Sequence, residues 1–539
     1  MIAYHGNLVF NNRDDLLNYM NSVLPERRLV SIDVETISLE NTKPVGFSIA
    51  ISPSEAFYFT LYPEMEVEMP WDIISNPDIR KIFHNSLFDL SAMDEYNMDT
   101  SNIEDTMIMA MLLNYPAKLI DLASTLDITI YSIGENLGKG MTTLDLPLAE
   151  VASKCCQHSK ATFALYESLV EAVDKAYYRI EVSLVTILMR MSMRGVKIDQ
   201  EVRNQLEEQF SEDAEYYEKL CINEGIMNPG SPQQVGFILA KRSNLLPIRR
   251  RKNNRTGKWE MKLSTKSEYL EKLSDPLASA VLSYRHTTKM LSTYLLPLRN
   301  YSRAYTRWHL DAITGRISST KRNLQNMAYE LRPMFVPDNG VFTDWDASQI
   351  ELRVLAEDSQ DEEMLRIFDT GGDIHKATAD FMGIDRKIAK NVNFSMIYGA
   401  TDQTIMETAH IQNIKRARQL KEMWFEKYGG AARWIQLQQE KGWEDGYVET
   451  MYGRKIKLPI GKEDKGEIDR KSVNYPIQGS AAEIIKRVML KCKELPLVLQ
   501  VHDELIADGD VQDEVKELHL EDLAPFRQPY NIQTMERWQ

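Results

Sequence analysis

Two strand-like segments that both carry acidic residues lie far apart in the chain. They are VFTDWDASQIELRVLA (341–356) and LVLQVHDELIADG (497–509). Apolar runs bounded by turn residues predict β-strands, so an antiparallel sheet would draw on distant parts of the sequence. On the first strand Asp344 and Asp346 point to the same face. Because an unpaired buried charge is costly, such carboxylates indicate a hard divalent cation such as Mg²⁺. Taken alone, the acids of 497–509 also fit an ordinary hairpin turn.

The chain is too long for a single core, and its charge is unevenly distributed. Its 539 residues carry a net charge of −15, and that whole excess of acid lies in residues 1–150. The neutral remainder contains eight bases and no acid between Lys241 and Lys258. Clustered cations gain affinity for nucleic acid by releasing its counterions, which is one interpretation of this run. The other is a solvated, flexible loop.

Simple features exclude several classes of protein. No apolar run reaches the ~18 residues that a membrane span needs. The N-terminal segment MIAYHGNLVFNNRDD lacks the pattern of a signal peptide. Four cysteines are too few for a disulfide framework and have no metal-ligand spacing. We therefore expect a cytoplasmic protein with no membrane partner, in a bacterial or phage-infected cell.

The N-terminal part has an α/β pattern, and a helical part follows it. Residues 28–60 predict strands, and Glu104–Leu126 predicts one helix. The expected core face of that helix consists of Met107, Met111, Leu112 and Leu119. A second helix is predicted over 178–193, with Gly195 placed to end it, and helical patterns continue to about residue 300.

The segment DRKIAKNVNFSMIYG (385–399) carries two cations followed by two aromatic rings at a spacing of four residues. On a helix, Arg386, Lys390, Phe394 and Tyr398 form one stripe. Such a stripe suits a nucleoside triphosphate, with the charges toward the phosphates and the rings toward the base and sugar. The alternative is an amphipathic helix with a basic end.

Six segments, in order, resemble the motifs of the family A DNA polymerases, the DNA polymerase I family. They are TGRISSTKRNLQN (314–326), DASQIELR (346–353), RKIAKNVNFSMIYG (386–399), GYVETMYGRKIKLP (446–459), IDRKSVNYPIQGSAAEIIK (468–486) and QVHDEL (500–505). The resemblance covers about residues 178–539, and weaker signals extend it to the N-terminus.

The resemblance implies a polymerase site with two metal ions. Asp346 and Asp503 are similar to the two metal-binding carboxylates, and the D-x-S-Q-I-E register selects Asp346 over Asp344. Glu504 is similar to a supporting acid. Two Mg²⁺ ions, with Mn²⁺ as a substitute, would activate the primer 3′-hydroxyl and stabilise the leaving pyrophosphate.

The resemblance also implies residues that bind substrate. Glu351 is similar to a steric gate against the ribose 2′-hydroxyl, Phe394 to a residue near the sugar, and Tyr398 to one beside the templating base. The other implied nucleotide-binding residues are Arg386, Lys390, His375 and Gln349. The alternative for His375 is a first-turn helix residue behind an Asp373 cap. The implied contacts to primer and template are Arg316, Asn323, Gln325, Arg470, Asn474, Gln478 and His502, and the basic run adds Arg249, Arg250, Arg251 and Lys252.

The N-terminal part resembles a 3′–5′ exonuclease domain of the RNase H-like fold. Asp33, Glu35 and Asp89 match two of its metal-binding motifs. In the third motif, whose pattern is Tyr-x-x-x-Asp, this chain has Lys154 and His158. A neutral histidine brings no negative charge for Mg²⁺. Two alternatives follow. Either the domain is an active exonuclease in which an acid such as Asp145 replaces the missing carboxylate, or it serves only in structure or in weak DNA binding.

The expected fold class is α/β plus α+β in several domains. An RNase H-like exonuclease-like domain would cover 1–175. A right-hand polymerase domain would cover 176–539, with a thumb at about 180–302, a palm at about 303–357 and 467–539, and fingers at about 358–466. No 5′-nuclease domain is expected, which is compatible with a phage-type replicase.

The expected function is template-directed addition of dNTPs to a primer by a monomeric enzyme. Primer-template DNA is the expected macromolecular partner. A single-subunit RNA polymerase is the alternative within enzymes, and Glu351 argues against it. The alternatives from other classes are a non-catalytic DNA-binding protein and a nuclease that uses only residues 1–170.

Overall fold

A computed structural model describes most of the chain. The described residues are 2–4, 7–10, 13–23, 28–38, 41–61, 75–93, 100–130, 140–242, 248–252, 259–411 and 413–539.

The first domain is built on a seven-stranded mixed sheet with the order β1-β2-β5-β4-β3-β6-β7. Its strands are β1 (Ile2–Tyr4), β2 (Asn7–Phe10), β3 (Leu29–Thr36), β4 (Pro44–Ala50), β5 (Ala56–Thr60), β6 (Arg80–Phe83) and β7 (Ile103–Asp105). Strands β3, β4 and β5 pair antiparallel, whereas β6 and β7 run parallel to β3. Every residue of β4 and β5 is buried, as expected for central strands covered on both faces. The predicted strands over 28–60 are thus confirmed.

The helices in the described residues of this domain are α1 (Arg13–Val23), α2 (Ser86–Ala92), α3 (Thr106–Leu112), α4 (Leu119–Thr125) and α5 (Leu148–Leu169). The prediction of one helix over Glu104–Leu126 is wrong, because the chain turns between α3 and α4. Asn114 adopts a left-handed conformation there, with φ 59°. Pro116 follows, and its ring removes a backbone donor from any continuing helix.

The core face predicted for that segment is right only in part. All four predicted residues are half-buried; Leu112 and Leu119 pack against the core as predicted, whereas Met107 and Met111 are not among the side chains that do. The fully buried side chains are instead those of Ile108, Met109 and Leu122. The break between the two helices changes the face that each one buries.

A helical part follows the first domain. Its elements are α6 (Lys175–Arg194), β8 (Val196–Ile198), α7 (Gln200–Asn223), α8 (Pro232–Arg242), β9 (Ile248–Lys252), β10 (Trp259–Leu263), α9 (Ser267–Leu270), α10 (Pro276–Lys289), a π-helical turn (Met290–Leu295) and α11 (Leu296–Leu298). Gly195 ends α6 as predicted, with φ 53°. Helical structure is interrupted at β9 and β10, which form an antiparallel hairpin. The side chains of Arg249, Arg250, Arg251 and Lys252 on β9 lie outside the described part of the structure.

A four-stranded antiparallel sheet joins segments from three distant parts of the chain. Small strands precede it: β11 (Arg303–Ala304), β12 (Arg307–His309), β13 (Ser318–Thr320) and β14 (Phe335–Val336). The sheet itself has the order β18-β19-β15-β20, with β15 at Phe342–Ala347. Its other strands are β18 (Leu497–Val501), β19 (Glu504–Asp508) and β20 (Tyr530–Met535). The predicted sheet assembled from distant segments is therefore confirmed, but residues 350–356 of the first segment are wrong as a strand, because they begin the helix Ile350–Ser359.

Helices fill the region between β15 and β18. They are α12 (Ile350–Ser359), α13 (Glu362–Asp369), α14 (Ile374–Met382), α15 (Arg386–Ile397), α16 (Asp402–Thr408), α17 (Ile414–Lys427), α18 (Gly429–Asp445) and α19 (Lys465–Lys491), and α20 (Gln512–Glu517) follows β19. A small hairpin of β16 (Tyr447–Glu449) and β17 (Lys455–Lys457) precedes α19. The chain therefore adopts the expected multidomain architecture, of class α/β plus α+β.

A buried ion pair connects α6 to α19. The Lys486 ammonium lies 2.7 and 2.6 Å from the two carboxylate oxygens of Glu181. Both residues are almost fully buried, and the Arg454 guanidinium lies 3.7 Å from the same carboxylate. Breaking a buried pair by removing one partner is strongly destabilising, so this contact holds α6 to α19.

None of the described helices is both long and apolar enough to cross a membrane. All four cysteines are free and buried.

Candidate active sites

Asp346 and Asp503 meet where β15 passes the turn between β18 and β19. The backbone N–H of Ala347 donates to the carbonyl oxygen of Asp503 at 3.0 Å, which joins the two segments. Burial and the charge of Asp503 raise the pKa of Asp346 to about 6, and the nearby Lys390 ammonium opposes that rise. Burial raises the pKa of Asp503 as well. Two partly buried carboxylates that repel each other form a donor set that fits hard divalent cations.

Asp344 lies on the same strand but has different neighbours. Its carboxylate accepts a hydrogen bond from the Gln533 amide on β20 at 2.9 Å. Burial raises its pKa, and Gln533 opposes the rise. Burial and the charge of Asp344 raise the pKa of Glu504 to about 8. The surroundings of Asp344 are therefore those of a supporting residue, whereas Asp346 faces Asp503 and Lys390.

Glu351, at the start of α12, is held from two sides. The Arg316 guanidinium pairs with its carboxylate. The Tyr398 hydroxyl donates to its other oxygen at 3.0 Å. Glu351 is buried, and this burial raises its pKa against the effect of Arg316. The carboxylate is thus fixed at the junction of three segments that the sequence resemblance assigned to substrate binding.

His375 is a neutral, oriented ring rather than an exposed cation. It is 3% exposed, and burial lowers its pKa to about 4. Its Nδ1 accepts from the Asn393 amide at 2.9 Å, because the Asn393 oxygen faces the Trp424 Nε1–H donor at 2.9 Å. The Nε2 atom therefore carries the ring proton. Asp373 also caps α14 by accepting from the backbone N–H of His375 at 2.8 Å, as the alternative for this residue expected.

The stripe on α15 has the predicted form, except at its end. The helix ends at Ile397, so Tyr398 occupies the C-cap instead of the helix proper. The Arg386 side chain pairs with Asp373 at 2.7 Å. The Lys390 ammonium lies 5.9 Å from the centre of the Phe394 ring, which is itself 6.3 Å from that of Tyr398.

A cavity of about 450 Å³ brings many of the predicted residues together. Those that line it are Arg316, Asn323, Gln325, Gln349, Glu351, Phe394, Tyr398, His502 and Asp503. The buried side-chain oxygen of Gln349 has no hydrogen-bond donor within the described structure. The Gln325 amide donates to Gln500 at 2.8 Å, and Asn323 accepts from the Ser319 hydroxyl at 2.8 Å.

Arg470, Asn474 and Gln478 lie on α19, outside the lining of this cavity. Their spacing of four residues places them on one helix face. Arg470 pairs with Glu467, and its backbone packs against Gly399. The buried Asn474 amide nitrogen has no acceptor within the described structure.

Sequence reasoning did not identify two supporting residues. Gln500 is buried in the apolar strand β18, and Asn393 is buried on α15. A polar amide inside an otherwise apolar buried segment is the signal that could have indicated both, since buried amides need partners.

The first domain contains a second acidic cluster, in which α5 supplies two nitrogen-bearing side chains. Asp33 and Glu35 lie on β3, and the Asp89 carboxylate on α2 accepts from the backbone N–H of Val34 at 3.2 Å. The Lys154 ammonium lies 3.0 Å from the Glu35 carboxylate. The His158 Nδ1 lies 3.7 Å from the Asp33 carboxylate.

This second cluster brings less negative charge to a metal ion than the family pattern would. The Lys154 ammonium pairs with Glu35, and the His158 ring faces Asp33 at the position where the family pattern has an acid. Among the described residues, one group of three possible metal ligands has its ligand atoms within 4.8 Å of one another. The group consists of Asp33, Glu35 and the Cys155 thiol. Burial raises the pKa of that thiol well above its usual value, and a protonated sulfur is a poor ligand for Mg²⁺.

Asp145 does not replace the missing acid in this cluster. It lies in the short 3₁₀ turn Thr143–Asp145 and is exposed. Its carboxylate accepts from the backbone N–H of Thr142 at 2.7 Å and from its hydroxyl at 3.0 Å.

Comparisons with known proteins found relatives for both the first domain and the rest of the chain. Residues 9–167 match the family model described as 3′–5′ exonuclease. DNA polymerase I of Chloroflexus aurantiacus is 32% identical over 546 residues, covering 90% of this chain and 57% of the relative. DNA polymerase I of Bacillus subtilis is 31% identical and covers 86% of this chain and 57% of the relative. The chain thus spans little more than half the length of these relatives.

A solved structure has the same fold over nearly the whole chain. It is the POL domain of Pol1 from M. smegmatis, in complex with DNA primer-template and dNTP. The alignment has a TM-score of 0.79 at 22% identity and covers 98% of this chain and 99% of that one. Residues 197–524, more than half of the chain, match the family model described as DNA polymerase family A. Through this match, and with an exonuclease domain ahead of its polymerase domain, the chain belongs to DNA polymerase family A.

Proposed function

We propose that the protein is a template-directed DNA polymerase that adds dNTPs to a primer 3′-hydroxyl. One observation carries this proposal: Asp346 and Asp503 come from distant segments to one point beside Lys390. The relatives named DNA polymerase I, and the neighbour solved with primer-template and dNTP, support the same substrates.

The residues of the site suit this reaction. Asp346 and Asp503 would hold two Mg²⁺ ions, with Mn²⁺ as an alternative. When bound, such ions would stabilise the negative charge on the attacking oxygen of the primer and on the oxygen of the leaving pyrophosphate. Arg386 and Lys390 would bind the triphosphate, and the proton on Nε2 of His375 could be donated to a phosphate oxygen. Arg386 would first have to exchange its partner Asp373 for the substrate.

A primer-extension assay tests the proposal. The chain is incubated with a primer-template and Mg²⁺, with either dNTPs or rNTPs. We expect extension with dNTPs and little with rNTPs. Preferential use of rNTPs would instead support the RNA polymerase alternative, and no extension with either would support the non-catalytic one.

Glu351→Ala should relax the choice of sugar. Removing the fixed carboxylate opens the space that a ribose 2′-hydroxyl would need, and it also frees Tyr398 and Arg316. We expect the ratio of rNTP to dNTP incorporation, measured as kcat/KM, to rise about 10–200-fold, the range for a small steric change in a pocket. Glu357→Ala, on the same helix, serves as the control. An unchanged ratio in Glu351→Ala would contradict the role of Glu351.

The hairpin residues Arg249, Arg250, Arg251 and Lys252 should contribute phosphate contacts. Changing all four to Ala should weaken duplex binding without sequence preference, and it should flatten the plot of log affinity against log salt by up to about 0.9 for each phosphate that is no longer neutralised. Arg366→Ala with Lys516→Ala removes two exposed cations, each paired with an acid on its own helix, as a control. If the slope of log affinity against log salt were equal in the wild-type chain and the hairpin variant, the basic run would be better interpreted as a solvated loop.

We propose further that the exonuclease domain degrades DNA poorly, because Lys154 and His158 take the place of acid. Four other features stay predictions from the sequence: a monomer, a cytoplasmic location, a phage-type origin, and the limits of thumb, palm and fingers.

A further inference from the structure

Arg454 is a buried arginine in the motif GYVETMYGRKIKLP (446–459), and none of the described residues of that motif lines the polymerase cavity. It lies directly before β17 and is only 8% exposed. A guanidinium is always charged and carries five N–H donors, so its burial is costly unless the charge and the donors find partners. The partners of Arg454 therefore indicate its role.

The Arg454 guanidinium bridges two segments that are remote in sequence. Its Nη1 lies 3.7 Å from the Glu181 carboxylate on α6. Its Nη2 donates to the carbonyl oxygen of Ile313 at 3.4 Å. Ile313 belongs to a turn in which the backbone N–H of Gly315 donates to the carbonyl oxygen of Ala312 at 2.8 Å. The guanidinium thus connects this turn to a buried acid.

The turn has the shape that a close guanidinium requires. Gly315 has φ 78°, a left-handed conformation that glycine adopts without strain. A Cβ atom on Gly315 would overlap Nη1 of Arg454 and would lie 3.0 Å from its Cζ. The guanidinium therefore packs directly against the backbone just before Arg316.

The backbone of Arg454 is itself held in place. The Thr450 hydroxyl accepts from the backbone N–H of Arg454 at 3.1 Å. The same hydroxyl donates to the Glu483 carboxylate on α19, whose oxygens lie 3.0 and 3.1 Å away. Thr450 and Glu483 are both buried. A side chain that leaves a fixed backbone and ends on fixed partners can hold the turn in one position.

The turn leads directly to the carboxylate of Glu351. Arg316 follows Gly315 and pairs with Glu351, which the Tyr398 hydroxyl holds from the other side. A shift of the turn would move Arg316 and so release the carboxylate from one of its two partners. Arg454 does not line the cavity, so any effect on the substrate has to pass through Arg316.

We propose that Arg454 is a positioning residue for sugar selection, which fixes the turn at 312–315 and, through Arg316, holds Glu351 where it excludes a ribose 2′-hydroxyl. The inference rests on the proposed function and adds a specificity-determining residue to it. This role differs from the stability that a buried ion pair provides. The two can be separated, because Glu181 has a second cation, Lys486, at 2.7 and 2.6 Å.

The test compares Arg454→Met with Lys486→Met. Each variant removes one cation from Glu181 and leaves the other, so both should unfold at a lower temperature. Within the described structure, only Arg454 of these two contacts the turn. We expect the ratio of rNTP to dNTP incorporation, measured as kcat/KM, to rise about 2–30-fold in Arg454→Met and to stay at the wild-type value in Lys486→Met. A loss of activity common to both substrates cancels in this ratio.

A double variant tests whether the effect passes through Glu351. In a Glu351→Ala background, Arg454→Met should not raise the ratio further, whereas independent effects would multiply. A wild-type ratio in Arg454→Met, an equal rise in Lys486→Met, or a further rise in the double variant would each overturn the proposal. If Arg454→Met does not fold, Arg454→Lys carries the same expectations, because it keeps a cation beside Glu181 but lacks the planar fork that reaches two partners.

Hydrogen exchange gives a readout that does not depend on activity. The peptide that contains the Gly315 amide should exchange faster in Arg454→Met than in Lys486→Met or the wild-type chain. A wild-type chain that extends no primer would refute the proposed function, and the exchange rates would still show whether Arg454 fixes the turn. Normal extension by the wild-type chain, with an unchanged ratio and unchanged exchange in Arg454→Met, would refute the role of Arg454 alone.

Discussion

Replacing Asp346 or Asp503 with Ala should reduce primer extension at least about a thousandfold, because bound metal ions contribute several kcal/mol to the transition state. Binding of primer-template should change less than about tenfold, since these carboxylates act on the reaction and not on the duplex. The measurement is single-turnover extension with saturating dNTP, alongside the affinity for the primer-template in a binding assay.

Asp344→Ala is the matched control on the same strand. Asp344 is buried against Gln533, whereas Asp346 lies near Asp503 and Lys390. We therefore expect a much smaller loss of extension from Asp344→Ala, with some loss of stability. A severe defect in Asp344→Ala together with a mild one in Asp346→Ala would show that the metal ligands have been assigned in the wrong register.

The second large effect concerns the exonuclease domain. The Lys154 ammonium lies 3.0 Å from the Glu35 carboxylate. It therefore already pairs with the negative charge that a bound metal ion would need. His158→Asp alone adds an acid but leaves this ammonium in place, so we expect only a small gain. Lys154→Tyr with His158→Asp restores the family pattern and removes the competing charge. It should raise 3′–5′ degradation of single-stranded DNA about a hundredfold, the equivalent of a few kcal/mol.

The assay is digestion of an end-labelled oligonucleotide with Mg²⁺ and without dNTPs. Adding Asp33→Ala to the double variant should abolish the gain, and primer extension should be the same in all of these proteins because the two sites lie in separate domains. Strong degradation by the unaltered chain that disappears in Asp33→Ala would show that the natural site is complete, with His158 serving as a ligand or base.

The sequence by itself determined the main elements of the polymerase site. Apolar runs within 341–356 and 497–509 predicted the strands, and a spacing of four residues predicted the stripe on α15. Both signals are local, because side-chain periodicity follows from the backbone geometry of each element. The order of six motifs then identified the family. The prediction of one helix over Glu104–Leu126 was wrong, because a turn at Asn114 and Pro116 overrode the apolar pattern.

Only the tertiary structure decided which side chains meet. The neutral state and tautomer of His375 follow from Asn393 and Trp424, which lie on different helices. The pairing of Lys154 with Glu35 depends on how α5 packs over β3. Contacts of this kind arise from burial and packing between segments remote in sequence, and no local pattern encodes the partner that each side chain finds.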